Sequence, residues 1–139
     1  MKKVKIFLAD MVHTKERSSN WNMPLNFGYI TTYAQKHAAD ASKLEFKVFK
    51  RPELLLEAIR KKSPDILGLS YYIWNVTLNC YIFSVAKQLN PHILNVGGGP
   101  NVSDLYFNEA RAKKPFAEQK HCDAYVVNQG EQGFVKLLD

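Results

Sequence analysis

Ile66-Leu67-Gly68-Leu69-Ser70 is the stretch on which the fold turns. Ser63-Pro64-Asp65 precedes it and Tyr71-Tyr72-Ile73-Trp74-Asn75 follows it. The run is apolar without polar alternation. A strand with one wet face alternates apolar and polar residues; a strand covered on both faces does not. The run is also too short for a helix, and a proline stands just ahead of it. It therefore reads as the central strand of a parallel sheet, with helices on both faces.

The flanks repeat this theme. Upstream, residues 3–9 carry Val4, Ile6, Phe7 and Leu8, a second buried-strand pattern. A long polar loop follows from Asp10 to about Met23, and Pro24 opens a helix, proline being favoured in a first turn. Tyr29, Ile30, Tyr33, Ala34 and His37 recur along it at helical spacing. Residues 44–49 alternate Leu44, Phe46 and Val48 with polar partners, a strand. Pro52 opens the next helix, with Leu55, Ala58 and Ile59 as its stripe.

Downstream, Asn75 is placed to cap a helix whose stripe is Leu78, Ile82, Val85, Ala86 and Leu89, ended by Asn90-Pro91. Residues 92–96 read as a strand closed by Gly97-Gly98-Gly99-Pro100, and residues 103–112 as a less regular helical piece. Residues 124–127 read as a fifth strand, and a last helix runs from Glu131 to Leu138 with Phe134, Leu137 and Leu138 on one side. Strands alternating with helices predict an α/β, flavodoxin-like (Rossmann-like) doubly wound sheet of five parallel strands.

Composition agrees with one globular domain over 1–139: 46% of residues are hydrophobic and 23% charged. No apolar run approaches the about 18 residues of a membrane span. The start, Met1-Lys2-Lys3-Val4-Lys5, leads into no long apolar segment before Asp10, so no signal peptide is expected and the cytoplasm is the expected location. The net charge is +6. Residues 1–70 hold 13 Lys and Arg against 7 Asp and Glu, and residues 71–139 hold 6 against 6. The excess is scattered; Arg60-Lys61-Lys62 reads as the last turn of a helix, not as a nucleic-acid stripe. The two cysteines, Cys80 and Cys122, have no metal-ligand spacing, and no CxxxCxxC is present to hold a cluster.

The residues with chemistry gather at strand ends. After the first strand come Met11, Val12 and His13; after the third, Ser70, Tyr71, Tyr72 and Trp74; after the fourth, Gly97, Gly98, Gly99 and Pro100; after the fifth, Asn128, Gln129, Gly130 and Glu131. In a parallel sheet these loops share one edge and line one crevice. The glycines either let a ligand approach the backbone or make a tight turn. The aromatics either stack on a ring system or cover the sheet end. No nucleophile stands in an elbow and no paired carboxylates converge, so no catalytic residue is expected in this chain.

Four motifs sharpen the pattern. Pro24-Leu25-Asn26-Phe27-Gly28-Tyr29-Ile30, Ser63-Pro64-Asp65-Ile66-Leu67-Gly68-Leu69-Ser70, Val96-Gly97-Gly98-Gly99-Pro100 and Gly130-Glu131-Gln132-Gly133-Phe134 follow one another along the chain. In that order they resemble the N-terminal cobalamin (B12)-binding domain of B12-dependent radical SAM enzymes, over nearly the whole chain. The resemblance implies a flavodoxin-like domain that holds cobalamin at its strand ends. Ser70 takes the serine of the SxL motif. Gly97, Gly98 and Gly99, with Pro100, let the nucleotide tail pass near backbone, and Asn128, Gln129, Gly130 and Glu131 border that tail. Met11, Val12, His13, Tyr71, Tyr72 and Trp74 approach the corrin.

The resemblance also implies that the chain is the N-terminal part of a longer protein. A following radical SAM barrel would then carry a [4Fe–4S] cluster and S-adenosylmethionine, with methyl transfer a common activity. The sequence departs from the family at three places. His13 stands one residue too far from Asp10 for DxHxxG, Tyr72 replaces the leucine of SxL, and Asn128-Gln129 replace Gly-Glu. Without the resemblance, two alternatives stay open: a regulatory or interaction domain with no cofactor, and a nucleotide or flavin binder using the glycine turn.

Overall fold

The central run is the strand β3, Ile66–Ser70, and all five of its residues are buried. In the computed structural model, which describes residues 3–12, 23–103 and 119–139, it lies between β1 (Val4–Ala9) and β4 (Leu94–Gly98). The outer strands are β2 (Leu44–Phe49) beside β1 and β5 (Ala124–Val126) beside β4. The order β2-β1-β3-β4-β5 is all parallel. That is the flavodoxin-like order, and it puts a topological switch between β1 and β3. No helix among the described residues is long and apolar enough to cross a membrane.

Two apolar layers sandwich the sheet. On one face, α1 (Leu25–His37) and α5 (Gly130–Leu138) cover Ile6, Leu8, Ile66 and Val96 with Phe27 and Phe134. On the other, α2 (Pro52–Lys61) and α3 (Val76–Leu89) cover Phe7, Ala9, Leu67 and Leu69 with Leu55, Ile59, Ile82, Phe83 and Ala86. The alternation along each strand decides which side chain goes where. A short helix, α4 (Pro100–Ser103), follows β4. The rest of the helical piece expected over 103–112 lies outside the described residues.

The strands fall where the sequence places them, with one shift. The fourth runs over Leu94–Gly98 rather than 92–96, because Pro91 and His92 form the turn that leaves α3. Two glycines expected in the turn are thereby the last residues of a strand.

Two helices are rotated from their expected faces. In α1 the buried residues are Phe27 and Ala34, while Tyr29 is 64% exposed. In α3 they are Asn79, Ile82, Phe83 and Ala86, while Leu89 is half-exposed. Asn79 is fully buried because its amide nitrogen donates to the Ser70 carbonyl, 2.9 Å away. A hydrogen-bonding demand at the sheet end thus turned the helix against its simplest apolar stripe.

Candidate functional site

A cavity of about 380 Å³ opens at the carboxyl edge of the sheet, on the face covered by α1 and α5. Its floor is the pocket face of β3 and β4: Gly68, Ser70, Val96 and Gly98. Ser70 and Gly98 are register partners across those two strands. Asn26, Phe27 and Ile30 of α1 form one wall, and Gly130, Glu131 and Phe134 of α5 the other. Gly99, Pro100 and Asn128 close the rim. The volume lies within the range of small-molecule sites, and the lining is mainly apolar with a few polar groups, as such sites are.

The floor is low because its residues are small, and the reasons differ by position. A Cβ on Gly97 would meet the Tyr125 ring at 2.8 Å, on the opposite face of the sheet. Gly99 has φ +113° and a Cβ there would lie 2.9 Å from the Tyr71 carbonyl oxygen. Both are therefore demanded by the fold itself. Gly98 is different. A Cβ there would meet only the Val126 carbonyl at 3.4 Å and Val126 Cβ at 3.8 Å, ordinary contacts. Gly130 is similar, with Ile30 at 3.5 Å. Packing within the chain does not require glycine at these two cavity-lining positions, yet both keep the cavity open.

Ser70 ends β3 and is 3% exposed. Its carbonyl oxygen accepts from Asn75 Nδ2 and Asn79 Nδ2, each at 2.9 Å. Asn75 also accepts the Tyr72 N–H at 2.9 Å and donates to the Met11 carbonyl at 3.3 Å. Asn75 is the N-cap residue of α3, but its side chain makes no cap bond; it ties together the ends of β1 and β3 instead. Two wholly buried asparagines thus fix the mouth from beneath, at a place where unpaired backbone groups are costly.

The described residues among those expected at the site divide into three groups. Ser70, Gly97, Gly98, Gly99, Pro100, Asn128, Gly130 and Glu131 line the one cavity. Met11, Val12 and Tyr71 are buried away from it. Tyr71 lies in the layer under α2 and α3, its ring 6.2 Å from Phe83 and 6.1 Å from Tyr125. Tyr72 and Trp74 do not line the cavity; they stack at 4.6 Å with their rings nearly parallel, and Trp74 is 57% exposed. Gln129 is exposed at the α5 N-cap and outside the lining. His13 lies outside the described residues.

Asn26, Phe27, Ile30 and Phe134 are lining residues that the strand-end reasoning missed. They belong to helices, and strand-end loops do not announce which helix leans over them. The signals available were two of the motifs: Pro24–Ile30, whose Asn26, Phe27 and Ile30 follow the helix entry, and Gly130–Phe134, which ends on Phe134. Asn128, with φ 65°, is in the left-handed region that asparagine tolerates, and it turns the chain from β5 into α5.

A second cavity, about 120 Å³, lies on the other face, between Tyr71, Cys80, Phe83 and the segment from Gln119 to Cys122. Burial pushes the Cys122 thiol from the usual 9 up to about 11, and raises Cys80 as well. Both thiols stay protonated at neutral pH, which makes them poor nucleophiles and poor metal ligands. Among the described residues no three His, Cys, Asp or Glu side chains are placed to hold a metal ion.

A prediction follows for Cys122. Its folded state keeps a proton that the unfolded thiol gives up above pH 9, so stability falls as pH rises from 9 towards 11. At pH 8, a disulfide reagent should label Cys122 about a hundredfold more slowly in the folded protein than in urea, following its thiolate fraction. Equal rates in Cys80→Ser protein, with and without urea, would contradict the burial.

No family model matches the chain. The chain is 31% identical over 121 residues to 2-(S-pantetheinyl)-carbapenam-3-carboxylate methyltransferase of Streptantibioticus cattleyicolor, covering 84% of this chain and 16% of that protein. It is 29% identical over 121 residues, with the same two coverages, to the cobalamin-dependent radical SAM methyltransferase TokK of Streptomyces tokunonensis.

Among solved structures, a cobalamin-binding protein from Desulfitobacterium hafniense superposes with TM-score 0.63 at 17% identity, covering 98% of this chain and 57% of that one. A pilus assembly protein, CpaE of Caulobacter crescentus, superposes with TM-score 0.61 at 10% identity, covering 99% and 92%. These two likenesses establish the fold, which carries more than one function. The chain spans about one sixth of the length of the methyltransferases it matches. Both relatives are methyltransferases by name, one of them a cobalamin-dependent radical SAM methyltransferase, and what this chain shares with each is one domain-sized segment.

Proposed function

We propose that this chain is the cobalamin-binding domain of a B12-dependent radical SAM enzyme, holding the cofactor at the carboxyl ends of its strands. The carrying observation is the cavity between β3, β4, α1 and α5, with Gly98 and Gly130 on its lining and no packing reason for either glycine. A Cβ at 98 would narrow that space, so the residues present suit a flat ligand laid against backbone. The homology to methyltransferases, one of them cobalamin-dependent by name, supports the same ligand.

In this proposal the cavity takes the nucleotide tail of the cofactor, and the corrin, too large for about 380 Å³, sits at the mouth. Ser70, Gly97, Gly98, Gly99, Pro100, Asn128, Gly130 and Glu131 serve the tail. Met11 and Val12 serve from beneath, through the backbone that Asn75 ties down. Tyr71 anchors the turn after β3 by donating its N–H to the Gly98 carbonyl at 2.6 Å. Tyr72 and Trp74 offer a stacked aromatic edge to the corrin or to a covering domain, and His13 and Gln129 complete the set. Cobalamin, when bound, supplies the chemistry of its cobalt; the chain supplies position and a water-poor setting. We further propose a cytoplasmic enzyme whose other domain, a radical SAM barrel, carries a [4Fe–4S] cluster and S-adenosylmethionine. Methyl transfer is the activity of the matched relatives by name.

Reconstitution with hydroxocobalamin followed by desalting tests the proposal. Corrinoid absorbance should travel with the protein at about one equivalent per chain, and Ser70→Trp should abolish it. Absence of corrinoid from the wild-type fraction would overturn the proposal.

A further inference from the structure

The contact between Asn26 and Ser70 has a direction. Asn26 Oδ1 accepts the N–H of Phe27 at 2.9 Å, which identifies the oxygen end of the amide. Nδ2 is then the end that faces Ser70, and it donates to Ser70 Oγ at 3.1 Å. A hydroxyl that accepts in this way has its own hydrogen left to give. The nearby Ser70 carbonyl is already taken by Asn75 and Asn79. Ser70 is 3% exposed and lines the cavity, so bulk water does not readily satisfy that hydrogen.

We infer that Asn26 sets the Ser70 hydroxyl as a hydrogen-bond donor into the cavity, and thereby selects ligands that carry an acceptor there, such as an unprotonated ring nitrogen. Asn26 is a positioning residue, since it acts through Ser70. The inference rests on the cobalamin proposal. The benzimidazole of cobalamin has such a nitrogen when it is free of cobalt, and cobinamide, which lacks the base, has none.

The discriminating substitution is Asn26→Asp. It keeps the shape and suits the first turn of a helix, where a negative charge is favourable. It reverses the polarity of the contact: a carboxylate only accepts, so the Ser70 hydrogen turns to it and lone pairs face the ligand. Hydroxocobalamin and cobinamide are titrated against wild-type protein, Asn26→Asp, Ser70→Ala and the double variant, with binding read from the corrinoid spectrum.

The expected result is about a tenfold loss of cobalamin affinity in Asn26→Asp, the size of one hydrogen bond. Cobinamide affinity should stay within about twofold, and Asn26→Asp should have no further effect on the Ser70→Ala background. An equal loss for both corrinoids, or a loss that persists without Ser70, overturns the inference while leaving the cobalamin proposal standing. A wild-type chain that binds neither corrinoid overturns both. If Asn26→Asp does not fold by circular dichroism, Asn26→Ala carries the same comparison.

Discussion

Gly98→Phe should fold and should fail to retain cobalamin. The β4 backbone at 98 is ordinary, since the positive-φ glycine among the described residues is Gly99. A Cβ at 98 meets Val126 only at ordinary contact distances, so the new side chain enters without displacing backbone. Its one outlet is the cavity of about 380 Å³, beside Ser70 and under Phe27 and Phe134. The ring would lie against apolar walls, which is neutral or mildly favourable for the fold. It would also occupy the space proposed for the nucleotide tail. An affinity loss of about a hundredfold or more, close to 3 kcal/mol, is expected. Equilibrium titration with hydroxocobalamin reads it, and circular dichroism checks the fold. Undiminished binding by a folded Gly98→Phe protein would place the ligand elsewhere.

Gly99→Ala should do the opposite, harming the fold before it harms the site. The backbone there has φ +113°, which a Cβ resists. The added carbon would sit 2.9 Å from the carbonyl oxygen and 3.0 Å from the nitrogen of Tyr71, and neither backbone atom can swing aside. Those atoms belong to the bonds that hold the two turns together: Tyr71 N–H to the Gly98 carbonyl at 2.6 Å and Asn101 N–H to the Tyr71 carbonyl at 3.2 Å. Backbone strain of this kind costs about 1–3 kcal/mol, and the collision adds to it. The melting temperature should drop by about 10 °C, while Gly98→Ala shifts it by less than about 3 °C. A thermal melt of the two variants side by side decides the matter. Equal shifts would mean that the neighbouring glycines are not distinguished by the fold.

That contrast also shows where the sequence stops being legible. Gly97-Gly98-Gly99 is one triplet in the chain, and each glycine is there for a different reason. The first makes room for Tyr125, which is 28 residues away and reaches it only because β4 pairs with β5. The third serves a local turn. Only the second leaves space without a packing demand. Tyr71 and Tyr72 are adjacent and look alike, yet the pleat of β3, carried one residue on, sends Tyr71 into the core and leaves Tyr72 beside Trp74 near the surface. Asn75 stands where a cap residue stands, but the orphaned backbone groups of two strand ends claim its side chain.

The sequence by itself determined the alternation of strands and helices, the parallel five-stranded sheet and the crowding of informative residues at its carboxyl edge. These follow from hydrophobic periodicity and from proline and glycine placement, which act over a few residues and are written in order along the chain. Tertiary structure alone decided which helices lean over that edge, and so brought Asn26 to Ser70 across 44 positions of sequence. It also decided which face of α1 and α3 is buried and which glycine is spare. Those outcomes depend on strand order, register and the satisfaction of buried polar groups, quantities that exist only once distant segments have met.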